Sequence, residues 1–360
     1  MSANDAAAER PAGVDGEARE LLYDLVSTPS PSGEERAASE RLAAFFEAHG
    51  REVWLDEVDN VRAPADDAVL LTSHVDTVPG EIPVEVRDGA GAYDGGPTLW
   101  GRGSVDATGP LAAMAVAAVR TGVSFVGVTG EETESRGARH LLDTREAAPD
   151  AVINGEPSGW DGVTLGYRGL LSGTYVHTSE SGHTSRPENN AIQDAIGWWS
   201  RVEDRVESDE WVPVFERVTP KPVAVEGGTT EDGLSVEATM DVQLRVPPEY
   251  TVEEVREMAD GELDDGTVRW SDRVPPVMTS PRTPVARAFR VAIREAGGDP
   301  RLLRKTGTSD MNLYAGAWDC PMATYGPGNS DLDHAPDEHL SLPEFDRAVN
   351  VLSDVCERLA

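Results

Sequence analysis

Cysteine is scarce in this chain: Cys320 and Cys356 are the only two among 360 residues. Two thiols build neither a disulfide framework nor a cysteine-rich metal site, so both read as buried side chains. Lysine is as rare, with Lys221 and Lys305 alone; every other basic residue is an arginine. No stretch approaches the ~20 apolar residues that span a bilayer. The N-terminal "MSANDAAAERPAGVDGEARE" lacks the apolar centre of a signal peptide, and 1–16 reads as a loose polar tail. Positive charge is outnumbered, 31 basic residues against 65 acidic ones, a net charge of −34. That balance excludes a basic nucleic-acid-binding surface. The expectation is a soluble cytoplasmic protein.

What is present is enough for a packed core, since 39% of the residues are hydrophobic. The acidity runs along the whole chain rather than sitting in a tail. Diffuse carboxylates with almost no lysine resemble proteins of a cytoplasm at molar salt, where the Debye length shrinks to ~3 Å and self-repulsion is screened. The charge therefore points to a habitat more than to a partner.

The chain is long enough for two domains. Residues 17–27 and 34–49 have helical apolar spacing, the second ending at Gly50. "REVWLDEVDNVRA" alternates like one strand, and "AVLLTSHVDTV", "VSFVGV" and "AVINGEP" are short apolar runs that turn polar at their ends. "PLAAMAVAAV" between them reads as a buried helix with Pro110 at its start. This alternation predicts a doubly wound α/β fold, in which ligands sit beyond the carboxyl ends of the strands. From 166 to 277 the texture is that of an α+β unit, with alternating strands at "RGLLSGTYVHTSES" and "GLSVEATMDVQLRV" and helices at "NAIQDAIGWWSRVEDRV" and "TVEEVREMADGEL". The α/β texture then resumes over 278–360. One domain is thus expected to be inserted within another, with 17–165 and 278–360 forming the outer one. Trp198 and Trp199 read as packing residues.

The polar clusters fall at the expected strand ends. In "HVD", His74 and Asp76 share a face of a strand. His74 could bind a metal while Asp76 accepts its other ring N–H; a capped strand end is the plainer reading. Asp106, in "WGRGSVDATGPLAAM", lies behind two glycines and just before a helix. It is either an N-cap or a carboxylate whose two oxygens bridge two cations. Glu131 and Glu132 follow "VSFVGV", Glu156 follows "AVING", and His334 follows the Gly/Pro-rich "GPGNSDLD". His74, Asp106, Glu131 or Glu132, Glu156 and His334 together suit a pair of zinc-like ions.

The segments "LLTSHVDTVPG", "WGRGSVDATGPLAAM", "GVTGEETESRGAR", "INGEPSG", "SGHTSRP" and "YGPGNSDLDHAPDEHL" resemble, in order and spacing, the motif series of the two-zinc aminoacylase, carboxypeptidase and acetylornithine deacetylase family. Within that family "LRKTGTSDMN" and the overall length are most similar to the hydrolases that release lysine or ornithine from the amino-group carrier protein LysW. The resemblance implies that His74 and Glu156 hold one ion, Glu132 and His334 the other, and that Asp106 bridges both. Glu131 is implied as general base and Asp76 as the partner of His74. Extended backbone would let the Glu131 and Glu132 side chains diverge. His183, by itself a turn histidine, is implied to steady the oxyanion, and the inserted domain to act as lid and dimerisation domain of a homodimer. The ions are expected to be Zn2+, with Co2+ or Mn2+ also suited to these ligands.

The substrate implied is LysW carrying lysine or ornithine, in lysine and arginine biosynthesis. Acetylornithine, succinyl-diaminopimelate and dipeptides are alternatives with the same metal site. Since both LysW and this chain are acidic, local basic groups must make the contact: Lys305 and Arg304 first, Arg168 and Arg245 less so. Asp310, in "TSDMN", is a candidate for the free ammonium of the substrate, or a brace for its own loop. Backbone N–H groups of "YGPGNS", 325–330, are candidates for its α-carboxylate. A non-catalytic receptor on the same fold would have lost the base or a ligand, and neither is missing.

Overall fold

The computed structural model describes residues 10–89, 95–183, 185, 187–207 and 211–360. Along the chain come α1 (Glu17–Val26), α2 (Arg36–Ala48), β1 (Trp54–Leu55), β2 (Val61–Ala63), β3 (Asp66–His74), β4 (Glu85–Arg87), β5 (Thr98–Trp100), α3 (Thr108–Thr121), β6 (Val123–Val128), α4 (Arg136–Thr144), β7 (Val152–Gly155) and β8 (Gly162–Tyr167). Next are β9 (Gly169–Glu180), α5 (Ala191–Val206), β10 (Thr219–Thr229), β11 (Ser235–Val246), α6 (Val252–Asp260), β12 (Thr267–Val274) and β13 (Val277–Met278). The chain closes with α7 (Pro284–Glu295), β14 (Arg301–Lys305), α8 (Asp310–Ala317), β15 (Met322–Thr324), β16 (His339–Ser341) and α9 (Leu342–Leu359).

Two compact units result. The first comprises the chain through Leu165 together with Thr279–Leu303 and Ala317–Ala360. Its main sheet has the order β1-β2-β6-β3-β7-β15-β8. The inner strands β6, β3, β7 and β15 are parallel, while β2 and β8 flank them antiparallel. The strands β3, β6 and β7 are apolar and buried where they pair, as parallel strands covered on both faces must be. Helix α3 is buried continuously from Thr108 to Ala118, which explains its lack of a polar face. Each fully buried Leu, Val or Phe here contributes ~1.5–3 kcal/mol. A separate three-stranded sheet, β16-β5-β4, carries the two loops that complete the site below.

The second unit, Gly166–Met278 with Arg304–Gly316, is built on the antiparallel sheet β10-β11-β9-β12, with its own core. Trp198 and Trp199 lie in that core, 0% and 6% exposed. Helices α5 and α6 both begin with capping boxes, Asn190 with Gln193 and Thr251 with Glu254.

Three expectations change. Residues 304–316 pack with the second unit rather than the first. Asn312 donates its side-chain N–H groups to the carbonyls of Arg168 (3.1 Å) and Pro275 (2.8 Å), and Arg168 donates to the Thr306 carbonyl at 2.9 Å. The expected single strand over 51–63 is a pair of short antiparallel strands, β1 and β2. The break is an Asx turn: one oxygen of Asp56 accepts the N–H groups of Val58 and Asn60. Of the expected loose tail, 1–9 lies outside the described residues, and 10–16 is held. Arg10 pairs with Glu20 at 3.0 Å and Asp24 at 2.9 Å, and Val14 is buried.

Candidate metal centre

The site is assembled within the first unit from the carboxyl ends of adjacent parallel strands and two loops. His74 is the last residue of β3 and stands level with Val128, the last of β6; Ser73 stands level with Gly155, the last of β7. Glu131 and Glu132 lie just past β6, and Glu156 directly past β7. The sheet register alone therefore brings His74, the glutamate pair and Glu156 to one rim. Asp106 comes from the loop between β5 and α3, and His334 from the loop before β16. Because β5 and β16 are antiparallel partners, with Trp100 opposite His339, those two loops leave the small sheet at the same end.

Asp106 joins two groups. Its Oδ1 lies 3.2 Å from His74 Nε2, and its Oδ2 lies 3.3 Å from His334 Nε2. His334 Nε2 is also 2.9 Å from Glu132 Oε2. Ligand atoms of His74, Asp106 and Glu156 all lie within 4.8 Å of one another, and so do those of Asp106, Glu132 and His334. The N-cap alternative for Asp106 falls away, since Ala107 occupies that position and receives no side-chain cap. His334 itself is in the left-handed region at φ 61°, a costly conformation for a residue with a Cβ.

Electrostatics match a site built to hold cations. Burial alone would raise the Asp106 carboxyl, but hydrogen bonds from His334 and His74 outweigh it and hold Asp106 well below the usual range. His74 shows the mirror effect. Burial pulls it down, yet Asp106 and the carboxylates of Glu156, Glu131 and Asp76 keep it well above an ordinary histidine. His334 is pushed up to about 9, chiefly by Asp106 and then by Glu132. Glu132 is pushed up to about 7, first by burial and then by the neighbouring Asp106 and Asp76. Its Oε1 is buried without a hydrogen-bond partner. An orphaned carboxylate oxygen among acidic neighbours is what a cation ligand looks like before its charge is balanced. His and carboxylate donors in this mixture fit zinc-like divalent ions.

Asp76 behaves differently from the expectation. His74 Nδ1 is 2.9 Å from the Asp76 main-chain carbonyl and 3.7 Å from its carboxylate. The carboxylate instead accepts the N–H of Glu131 on one oxygen (3.0 Å) and that of Glu132 on the other (3.1 Å), plus the Ser32 hydroxyl at 2.8 Å. The glutamate pair is therefore held in a turn, not in extended backbone, closed by Ser135 N–H donating to Gly130 C=O at 2.7 Å. Asp76 thus links His74, through its main chain, to both glutamates, through its side chain.

The remaining candidates belong to the second unit or prove to be occupied. His183 is exposed, and its Nδ1 lies 2.8 Å from the Ser185 hydroxyl and 3.2 Å from the Ser185 main-chain nitrogen. Lys305 ends β14, half-buried, and Asp310 opens α8, 2% exposed. Arg304 pairs with Glu216 at 2.9 Å. Arg168 is buried and donates to the Val214 carbonyl and the Thr219 hydroxyl, which makes it a brace. Arg245 is 3.4 Å from the Thr308 hydroxyl. In the "YGPGNS" loop the N–H groups of Tyr325, Gly326 and Gly328 already donate, to Asn154 C=O, Ser158 Oγ and Glu344 Oε1. They do not await a carboxylate.

Sequence reasoning missed Ser32, Arg102, Glu338 and Glu344. Glu338 stands inside a quoted motif, four residues past His334, and its buried environment is what marks it out.

Residues 70–358 match the sequence profile of peptidase family M20/M25/M40. The chain is 40% identical to the "[LysW]-lysine hydrolase" of Deinococcus radiodurans, over 95% of this chain and 97% of that one. It is 29% identical to the "[LysW]-lysine/[LysW]-ornithine hydrolase" of Sulfurisphaera tokodaii, over 94% of this chain and 95% of that one. Among solved structures it is similar to the M20 family metallo-carboxypeptidase Sso-CP2 from Sulfolobus solfataricus, with a TM-score of 0.77 and 18% identity, covering 96% and 99% of the two chains. The chain belongs to peptidase family M20/M25/M40.

Proposed function

We propose that this chain is a two-metal amide hydrolase that releases lysine, ornithine or both from the carrier protein LysW. The observation that carries the reading is Asp106, one oxygen turned to each of two histidine-containing ligand groups. His74 and Glu156 would hold one divalent cation, Glu132 and His334 the other, and Asp106 both. When bound, such a pair would supply Lewis acidity at the amide oxygen and lower the pKa of a bound water.

The chain's own residues do the rest. Glu131 takes a proton from the attacking water and returns it to the leaving α-amino group. Its main-chain N–H is held by the Asp76 carboxylate just past β6, at the rim that carries His74. Asp76 fixes the main chain of base and ligand with one carboxylate. His183 is the donor that steadies the developing oxyanion. Lys305 contacts the carrier and Asp310 receives the side-chain ammonium of the product.

The identity and coverage of the LysW-named relatives favour this substrate over acetylornithine, succinyl-diaminopimelate or a dipeptide. A homodimer fits the second unit. Strand β10 is one of the two edge strands of its sheet, eleven residues long, with Val223 and Val225 56% and 62% exposed. An edge of that length invites pairing with a second copy.

The test is a comparison of kcat/KM on LysW-lysine, LysW-ornithine, acetylornithine, succinyl-diaminopimelate and simple dipeptides, in high salt with Zn2+ or Co2+. The LysW conjugates should lead by at least tenfold. A small acyl substrate in first place would overturn the choice of substrate while leaving the metal centre intact.

A further inference from the structure

The segment that supplies His334 also supplies a buried carboxylate that the hydrolytic steps do not use. Glu338 is 1% exposed, and both its oxygens are filled. Oε1 accepts the N–H of Val105 at 2.9 Å and that of Asp106 at 3.1 Å. Oε2 accepts the N–H of Gly103 at 3.1 Å and the Arg102 guanidinium at 2.8 Å. All of its donors come from residues 102–106, the loop that ends in Asp106. Arg102 closes the latch by donating to the Ala335 carbonyl at 3.2 Å, one residue past His334.

This loop needs such a hold. Between Trp100 and Thr108 it has no strand or helix of its own, and Gly103 sits at φ +80°. Yet Asp106 has to present one oxygen to each of two ligand groups. A shift of its main chain by a fraction of an ångström would lengthen one contact as it shortened the other. Glu338 removes that freedom by taking the N–H groups of Gly103, Val105 and Asp106 itself. Because it lies on the same short segment as His334, the latch also ties the shared carboxylate to one of the histidines it must meet.

We propose that Glu338 is a positioning residue: it sets the loop so that Asp106 serves both ligand groups at once. This rests on reading Asp106 as the shared ligand. The experiment titrates the ion-free protein with Co2+, following heat and visible absorption, for wild type, Glu338→Gln, Arg102→Ala and Asp106→Asn. The glutamine amide sets a donor against one pair of donors. Glu338→Gln should weaken binding at one site or both by roughly 10–100-fold and change the Co2+ absorption bands, with circular dichroism unchanged. Arg102→Ala, which keeps the carboxylate, should move both readouts in the same direction by less. Glu338→Gln that melts earlier yet binds two ions with wild-type affinity and spectrum would overturn the proposal. Should Glu338→Gln not fold, wild-type binding and spectrum in Arg102→Ala would overturn it equally. Wild-type binding by Asp106→Asn would instead remove the reading of Asp106, whatever Glu338 does.

Discussion

Glu131 and Glu132 stand side by side, and the proposed division of work between them can be tested one atom at a time. Replacing Glu131 by Gln keeps shape and removes the proton acceptor. We expect kcat to fall by roughly 10²–10⁴-fold with two ions still bound, measured by steady-state turnover alongside metal content. Undiminished turnover would remove Glu131 as base. His183→Ala should cost roughly 10²–10³-fold in kcat, with little change in metal content.

The His334–Glu132 pair makes a pH prediction for the ion-free protein. His334 is raised from 6.5 to about 9, so its contribution to stability is full below 6.5 and lost as pH rises through about 9. Glu132 is raised from 4.5 to about 7, so the folded state favours its neutral form, and this contribution too is lost as pH rises through about 7. Both have the same sign. Metal binding needs both groups deprotonated and strengthens over the same window. The gap in Tm between metal-loaded and ion-free protein should widen from pH 5 to 9, followed by thermal melts with and without chelator; a constant gap would contradict it.

At the scale of elements, the strand ends were legible in the sequence because apolar runs that stop abruptly at polar residues have one physical meaning in a parallel sheet. His74, Glu156 and the Glu131–Glu132 pair follow from that alone once the register is known, and only the family resemblance chooses between the two neighbouring glutamates. Asp106 and His334 were expected together through the motif series, but the element that joins them was not legible: the antiparallel pairing of β5 with β16, two strands of three residues each, gave no sequence signal. The same is true of Asp76, where sequence offers a carboxylate two residues from a histidine and cannot tell whether its side chain or its carbonyl meets the ring. Long-range acceptors such as Glu338 and Glu344 are invisible for a similar reason, since a buried glutamate has no periodicity of its own. The loop over 101–106 makes the element-scale prediction. Gly103 has φ +80°, and a Cβ there would lie 2.6 Å from Thr77 Cγ2. Gly103→Ala should destabilise the fold by about 1–3 kcal/mol, measured by urea denaturation, and weaken metal binding together with it.

At the scale of the whole molecule, a net charge of −34 dominates. Arginines 10, 19, 36, 62 and 102 each spend their charge on carboxylates, but 65 acidic residues cannot be matched by 31 basic ones. At low ionic strength the excess repels itself; at 1 M salt the Debye length of about 3 Å screens it. Tm should therefore fall steadily as salt is removed, and a flat profile from molar salt to none would contradict that view. Among the described residues no helix is long and apolar enough to cross a membrane.

The two ligand groups joined by Asp106 are the centre of the account, and ion content tests them most directly. Protein freed of divalent ions should be reloaded in steps while hydrolysis of LysW-lysine is followed against ions bound per chain. Activity should be absent at zero and complete at two. Full turnover by the ion-free protein would contradict the account.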